Sequence, residues 1–82
     1  MSFLVDHIAD WIGRMTAAHG GIVYDTDGKR YDWGQALARD QYGPDWDSLV
    51  PDAPTRADVD RAARWEQGDW PEWVRRAEEE IA

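Results

Sequence analysis

Six tryptophans are distributed through an 82-residue chain that contains no cysteine, and this combination restricts the core that the sequence can build. A chain this short removes only roughly 60 to 65 per cent of its unfolded surface from water, so its core is thin. Disulfides cannot reinforce that core, whereas each tryptophan offers a large apolar surface. The sequence therefore predicts a single domain, residues 1–82, whose stability depends on large aromatic side chains.

The first segment, residues 3–18, has the periodicity of an amphipathic helix. Ile8, Trp11 and Met15 recur at three- and four-residue steps, which places them on one face. Gly20 follows, and glycine favours the end of a helix because it readily adopts the left-handed C-cap conformation. The pattern predicts an N-terminal helix with its apolar stripe turned towards the core.

A β-hairpin is predicted next. β-Branched and aromatic residues favour strands near 22–25 and 29–32. Asp27 and Gly28 stand between them, and this dipeptide is typical of a type I′ turn, in which both central residues have positive φ. An isolated two-stranded hairpin is marginal in water, so we expect it to pack on a helix or to pair with another strand.

Asp32 and Gln35 have the spacing of a capping box, which predicts a short helix near 33–42. The connector that follows, residues 43–54, contains prolines and polar residues that oppose a long regular element. Within it, Trp46 and its apolar neighbours Leu49 and Val50 are expected to fold the segment against the core.

Thr55 and Asp58 predict the start of a helix near 56–67. Gly68 then separates it from a final helix near 70–81, so the two are expected to form a tight αα-hairpin. The predicted fold is therefore α+β and helix-rich, with an N-terminal helix, a β-hairpin, a short helix, an acidic connector and a C-terminal αα-hairpin.

The chain has 17 acidic and 9 basic residues, and its formal net charge is −8. A negative field repels nucleic acid and membrane surfaces but attracts basic proteins. The arginines of the last two predicted helices alternate with acidic residues, which favours intrahelical ion pairs over phosphate binding. No apolar run approaches the roughly 18 residues of a membrane span, and no basic segment precedes the first apolar stretch. We expect a cytoplasmic protein with no direct nucleic-acid or membrane partner.

Signals for catalysis and metal binding are weak. Neither serine stands in a Gly-x-Ser-x-Gly elbow, and there is no glycine-rich phosphate loop. His7 and Asp10 are too small a ligand set for a metal site. Asp25 and Asp27 lack the spacing of a calcium loop, because Gly28 follows Asp27 at once. Sequence alone leaves open a hydrolytic pair among the carboxylates. We expect a non-enzyme without a cofactor or metal.

The stretch from residue 25 to 52 holds seven acids and three bases. Carboxylates spread over a compact surface can take the place of phosphates and occupy a cationic groove. The simpler alternative is that the acidity only maintains solubility. Trp46 stands among the acids and is the candidate apolar anchor of an interface. The predicted partner-binding residues are Asp25, Asp27, Asp32, Asp40, Asp45, Trp46, Asp47 and Asp52.

Small size, strong acidity, the lack of cysteine and of a catalytic motif, and the helix-plus-hairpin layout resemble those of phage-encoded inhibitors of host defence. This group includes anti-CRISPR proteins and other DNA mimics. The resemblance covers the whole chain in its general character. It implies an inhibitor that acts in the host cytoplasm and places an acidic surface on the basic nucleic-acid-binding surface of a partner, such as a CRISPR effector complex.

Two other functions are compatible with the sequence. In the first, the chain is a small structural or assembly subunit, such as a phage accessory protein or a homo-oligomerisation module. Its C-terminal helices would then expose an apolar seam of Trp70, Trp73 and Val74. In the second, the chain is an antitoxin-like protein that neutralises a basic toxin through the same electrostatic attraction.

Overall fold

The computed structural model describes residues 3–25 and 27–81. Within this part of the chain, the fold consists of five helices and a two-stranded antiparallel hairpin, which confirms the predicted α+β, helix-rich fold. None of the helices seen there has the length and apolar character needed to cross a membrane. The elements are α1 (Phe3–His19), β1 (Val23–Tyr24), β2 (Arg30–Tyr31), α2 (Trp33–Tyr42), α3 (Trp46–Leu49), α4 (Arg56–Glu66) and α5 (Glu72–Ile81).

The apolar stripe of α1 faces the core, as its periodicity predicts. Trp11 and Met15 are buried, and the helix packs against α4 and α2. The helix ends at His19, one residue beyond the predicted boundary. Gly20 follows with a φ of 91°. This conformation costs glycine little, and it turns the chain away from the helix axis towards the hairpin.

Both halves of the predicted capping box form at the start of α2. Oδ1 of Asp32 accepts a hydrogen bond from the N–H of Gln35 at 2.7 Å, and Oε1 of Gln35 accepts one from the N–H of Asp32 at 3.0 Å. These bonds satisfy N–H groups at the helix start that would otherwise lack a partner. An added Cβ at Gly34 would lie 2.7 Å from Cδ1 of Ile12, so this glycine lets α1 and α2 pack closely.

The hairpin strands are shorter than predicted, at two residues each. Val23 pairs with Tyr31 and Tyr24 pairs with Arg30. Val23 and Tyr31 are buried, whereas their neighbours Tyr24 and Arg30 are exposed, so one face of the hairpin belongs to the core. As expected for so small a sheet, it packs on helices: β1 contacts α5, and β2 contacts α2.

The turn of the hairpin differs from the predicted type I′ geometry. Gly28 has a φ of 82°, but Asp27 does not have a positive φ. The reason is the side chain of Asp25, whose Oδ1 accepts hydrogen bonds from the N–H groups of Asp27 and Lys29, each at 2.9 Å. The N–H of Gly28 also donates to the carbonyl of Asp25 at 3.1 Å. A glycine in the left-handed region after such a turn is typical of longer hairpin loops.

The second predicted capping box also forms. Oδ2 of Asp58 accepts a hydrogen bond from the N–H of Thr55 at 2.7 Å, and Oγ1 of Thr55 accepts one from the N–H of Asp58 at 3.4 Å. These contacts start α4 at Arg56, as predicted. The helix ends at Glu66, just before Gly68, which has a φ of 86°.

A short turn joins α4 to α5, but α5 packs mainly against β1 rather than along α4. The indole N–H of Trp70 donates to the carbonyl of Trp65 at 2.6 Å, which closes the turn. Val74 is fully buried. The last helix thus covers the hairpin, and this placement supplies the support that the two short strands need.

Large aromatic side chains connect the helices through the core, as the composition predicts. The ring centroid of Trp65 lies 6.0 Å from that of Trp11 and 6.3 Å from that of Trp33. All three side chains are at most 2 % exposed. Trp33 also lies 6.0 Å from Trp70. The contacts of Trp65 with Trp11 and Trp33 are edge-to-face, and such contacts add stability beyond the apolar area that they bury.

Candidate partner-binding surface

Asp25 is buried and does not contribute to the exposed acidic surface. Besides the two N–H groups of the turn, its carboxylate faces the hydroxyl of Tyr31 at 3.4 Å and the guanidinium of Arg39 at 3.7 Å. Burial alone would raise the pKa of Asp25, but the hydrogen bonds from Lys29 and Asp27 and the charge of Arg39 outweigh it, so the pKa lies below its ordinary value. Asp25 therefore holds the hairpin in shape, and its charge is already compensated.

Arg39 completes this cluster from α2. Its guanidinium lies 4.4 Å from the ring centroid of Trp73 on α5 and 5.6 Å from that of Tyr31 on β2. Cation–π contacts favour this stacking. Burial raises the pKa of the Tyr31 hydroxyl; the charge of Arg39 opposes this shift and that of Asp25 adds to it. The cluster joins the hairpin to α2 and α5, so its role is structural.

Asp40 is also compensated within the chain. Its Oδ2 lies 2.5 Å from Nη1 of Arg61 on α4, and Nε of the same arginine donates to Oε1 of Gln41 at 2.6 Å. The side chains of Asp40 and Arg61 are only 19 % and 27 % exposed. This ion pair ties α2 to α4, and it removes Asp40 from the set of free surface charges.

Trp46 is half-buried and packs against the core. Its ring centroid lies 6.2 Å from that of Tyr31, which places α3 beside the hairpin. Leu49 and Val50, which were expected to pack inwards with it, are instead 58 % and 38 % exposed. That expectation is wrong because Trp46 packs on Tyr31 of the hairpin whereas Leu49 and Val50 remain exposed, and a segment this short gives no periodic signal of which apolar residue is buried.

The other five predicted residues are exposed carboxylates, and none forms an ion pair within residues 3–25 and 27–81. Asp27 lies at the hairpin turn, and Asp32 caps α2. The basic residues that flank the connector are already engaged, since Arg39 faces Asp25 and Arg56 pairs with Asp60 at 3.4 Å. We name Asp45, Asp47, Leu49, Val50 and Asp52 the acidic connector surface.

The acidic connector surface combines charged and apolar side chains. Its carboxylates are exposed, and no lysine or arginine occurs between Arg39 and Arg56. Its apolar side chains, Leu49 and Val50, are exposed beside them. Carboxylates set the charge of a suitable partner, and an exposed apolar residue can supply contact area in the same place.

The seam required by the assembly alternative is occupied within the chain. Val74 is fully buried, and the indoles of Trp70 and Trp73 pack against the core, where they contact Trp33 and Tyr31. These side chains stabilise the position of α5. They do not form an exposed apolar face.

The two histidines of the chain both have neighbours within the described residues. His7 stacks on Phe3, with ring centroids 4.0 Å apart, and His19 Nδ1 lies 3.0 Å from Oε2 of Glu78. In the part of the chain that the structure describes, no three His, Asp or Glu side chains are grouped so that they could hold a metal ion. His7 thus has a packing contact with Phe3, and His19 has a polar contact with Glu78.

A comparison of the chain with protein-family models, curated proteins and solved structures finds no match. The acidic connector surface combines exposed carboxylates that form no ion pair within the described residues with apolar side chains that the packing of the fold does not bury.

Proposed function

We propose that this protein is a non-catalytic inhibitor that binds a positively charged protein through the acidic connector surface. Asp27 and Asp32 on the hairpin side extend the negative charge. The observation that supports the proposal is that Asp45, Asp47 and Asp52 are exposed and form no ion pair within the described residues, in a stretch that also exposes Leu49 and Val50 and contains no lysine or arginine.

Electrostatics would act mainly on the rate and specificity of binding. Complementary charge steers two proteins together and disfavours partners of like charge, and its effect falls as salt screens it. The net charge of −8 also opposes binding to nucleic acid and to anionic membranes. A cationic protein surface that normally binds nucleic acid fits this pattern best, and the DNA-binding channel of a CRISPR effector complex is such a surface.

Apolar contact would supply the affinity that exposed charges do not. Interfaces depend on a few well-buried side chains, surrounded by contacts that exclude water. Leu49 is the most exposed large side chain of the connector and lies between the carboxylates of Asp47 and Asp52 in the sequence. We assign it the anchoring role in place of Trp46.

The test uses two double variants with the same change in net charge. D45K/D47K reverses the connector, whereas D69K/E79K reverses two exposed acids near and on α5. The wild-type chain is immobilised to capture its partner from host extract. We expect the control variant to retain that partner and D45K/D47K to lose it, with an association rate lower by about tenfold or more.

Two results would contradict the proposal. If D45K/D47K retains the partner with unchanged rates, the connector is not the interface. If single- or double-stranded DNA does not compete for the captured partner, the bound surface is not one that binds nucleic acid. Raising the salt concentration should weaken the wild-type complex, because salt screens the attraction between exposed charges.

A further inference from the structure

A cleft of about 130 Å³ opens beside the acidic connector surface, between α1, α2 and the residues that follow Val50. Its walls are mainly apolar, with Ile8 from α1 and Leu37 and Ala38 from α2. Cavities of about 150 Å³ with apolar walls can hold a molecule as large as benzene. The cleft is therefore of a size that suits one apolar side chain.

The connector forms the remaining wall of the cleft with residues 50–54. Pro51 and Pro54 have no N–H group to donate, and within the described residues the backbone of 51–54 makes no backbone hydrogen bond. A segment held mainly by its two ends can adjust its distance from α2 at low cost. The width of the cleft is thus not fixed by secondary structure on this side.

We infer that this cleft receives an apolar side chain of the basic partner, so that the partner segment carries an apolar residue flanked by lysine or arginine. This inference rests on the proposed function. Val50 and Asp52 belong both to the cleft and to the acidic connector surface. A side chain that enters the cleft therefore brings its neighbours close to carboxylates that form no ion pair within the part of the chain that the structure describes. Charge complementarity then favours cationic residues at those neighbouring positions.

The direct test is a titration of the isotope-labelled full chain, followed by NMR, with two synthetic peptides of equal length and charge. One alternates lysine with leucine and the other alternates lysine with serine. We expect both peptides to shift the resonances of Asp45 and Asp47. Only the leucine peptide should shift the methyl groups of Ile8, Leu37 and Val50, and it should bind about tenfold more tightly.

Variants that fill the cleft provide the control. A38L adds bulk from the α2 wall and A53L adds it from the connector wall, whereas A17L places the same change on the exposed face of α1. A38L and A53L should abolish the tenfold advantage of the leucine peptide and leave the binding of the serine peptide unchanged. A17L should retain the advantage. Since A53L lies on the exposed connector, it keeps the test valid if A38L disturbs folding.

The outcomes separate this inference from the proposed function. If D45K/D47K weakens both peptides but the leucine peptide has no advantage, the cleft is not a side-chain site, and the proposed function stands. If D45K/D47K changes neither affinity, the proposed function fails as well. If the methyl groups of the cleft shift with protein concentration in the absence of peptide, the occupant is a second copy of the chain, and the inference is overturned.

Discussion

The carboxylate of Asp25 lies 3.7 Å from the guanidinium of Arg39, and only 2 % of the Asp25 side chain is exposed. This contact joins the hairpin turn to α2, and Arg39 in turn stacks on Trp73 of α5. A residue whose charge predicts a partner-binding role is thus a structural residue of the hairpin. The distinction between compensated and free carboxylates leads to the predictions that follow.

Removal of the buried carboxylate should destabilise the fold. In D25A, two turn N–H groups lose their acceptor and Arg39 loses its counter-ion, so the free energy of unfolding should fall by about 2–3 kcal/mol. D27A changes an exposed acid of the same turn and should alter stability by no more than about 0.5 kcal/mol. Urea unfolding, monitored by tryptophan fluorescence, measures the free energy of unfolding of both variants. Equal effects of the two variants would contradict the structural role of Asp25.

The same carboxylate should make the fold sensitive to acid. The ordinary pKa is 3.8, and the folded pKa of Asp25 is lower, so its stabilising contribution is complete above 3.8. As the pH falls, Asp25 is protonated first in the unfolded chain. Its contribution to the free energy of unfolding is lost as the pH passes through the pKa of Asp25 in the folded protein. The stability difference between wild type and D25N should therefore shrink between about pH 5 and pH 2. A difference that stays constant over that interval would contradict the shift.

The capping box of α4 should contribute measurably to stability. Thr55 accepts from the N–H of Asp58, so T55A should lower the free energy of unfolding by about 1 kcal/mol. S48A removes a hydroxyl from the exposed connector and serves as the control, with an expected change within about 0.5 kcal/mol. Thermal unfolding, monitored by circular dichroism, compares the stability of T55A and S48A with that of the wild type. If T55A unfolds at the wild-type temperature, the cap does not stabilise the helix.

Two leucines should behave in opposite ways. Leu37 is 2 % exposed in the core, so L37A should cost about 2–5 kcal/mol of stability. Leu49 is 58 % exposed, so L49A should leave stability within about 0.5 kcal/mol. If Leu49 anchors the partner, L49A should nevertheless weaken binding about tenfold. An L49A variant that binds with full affinity would remove Leu49 from the proposed interface.

Local signals in the sequence predict much of the fold. The start of α2 follows from Asp32 and Gln35, and the start of α4 follows from Thr55 and Asp58, because a capping box involves residues only three positions apart. The apolar stripe of α1 likewise predicts the burial of Trp11 and Met15, because the residues that share one helix face all lie within one segment of the sequence.

Contacts between distant segments are not predictable in this way. The pairing of Asp25 with Arg39 and of Asp40 with Arg61 depends on how α2 lies against the hairpin and α4. The turn geometry at Asp27 changes because the side chain of Asp25 folds back onto it. A count of charges treats all these carboxylates alike. It therefore predicts that the protein is acidic, but it does not predict which carboxylates are exposed and which are paired within the fold.

The position of Trp46 has a practical consequence. It is the one tryptophan of the connector, whereas Trp11, Trp33 and Trp65 lie deep in the core and the other two follow α4. Its indole rests on Tyr31 with one side open to solvent. A molecule that binds the connector would therefore change the emission of Trp46 more than that of the three buried indoles, so the protein carries an optical probe at the place where we expect contact.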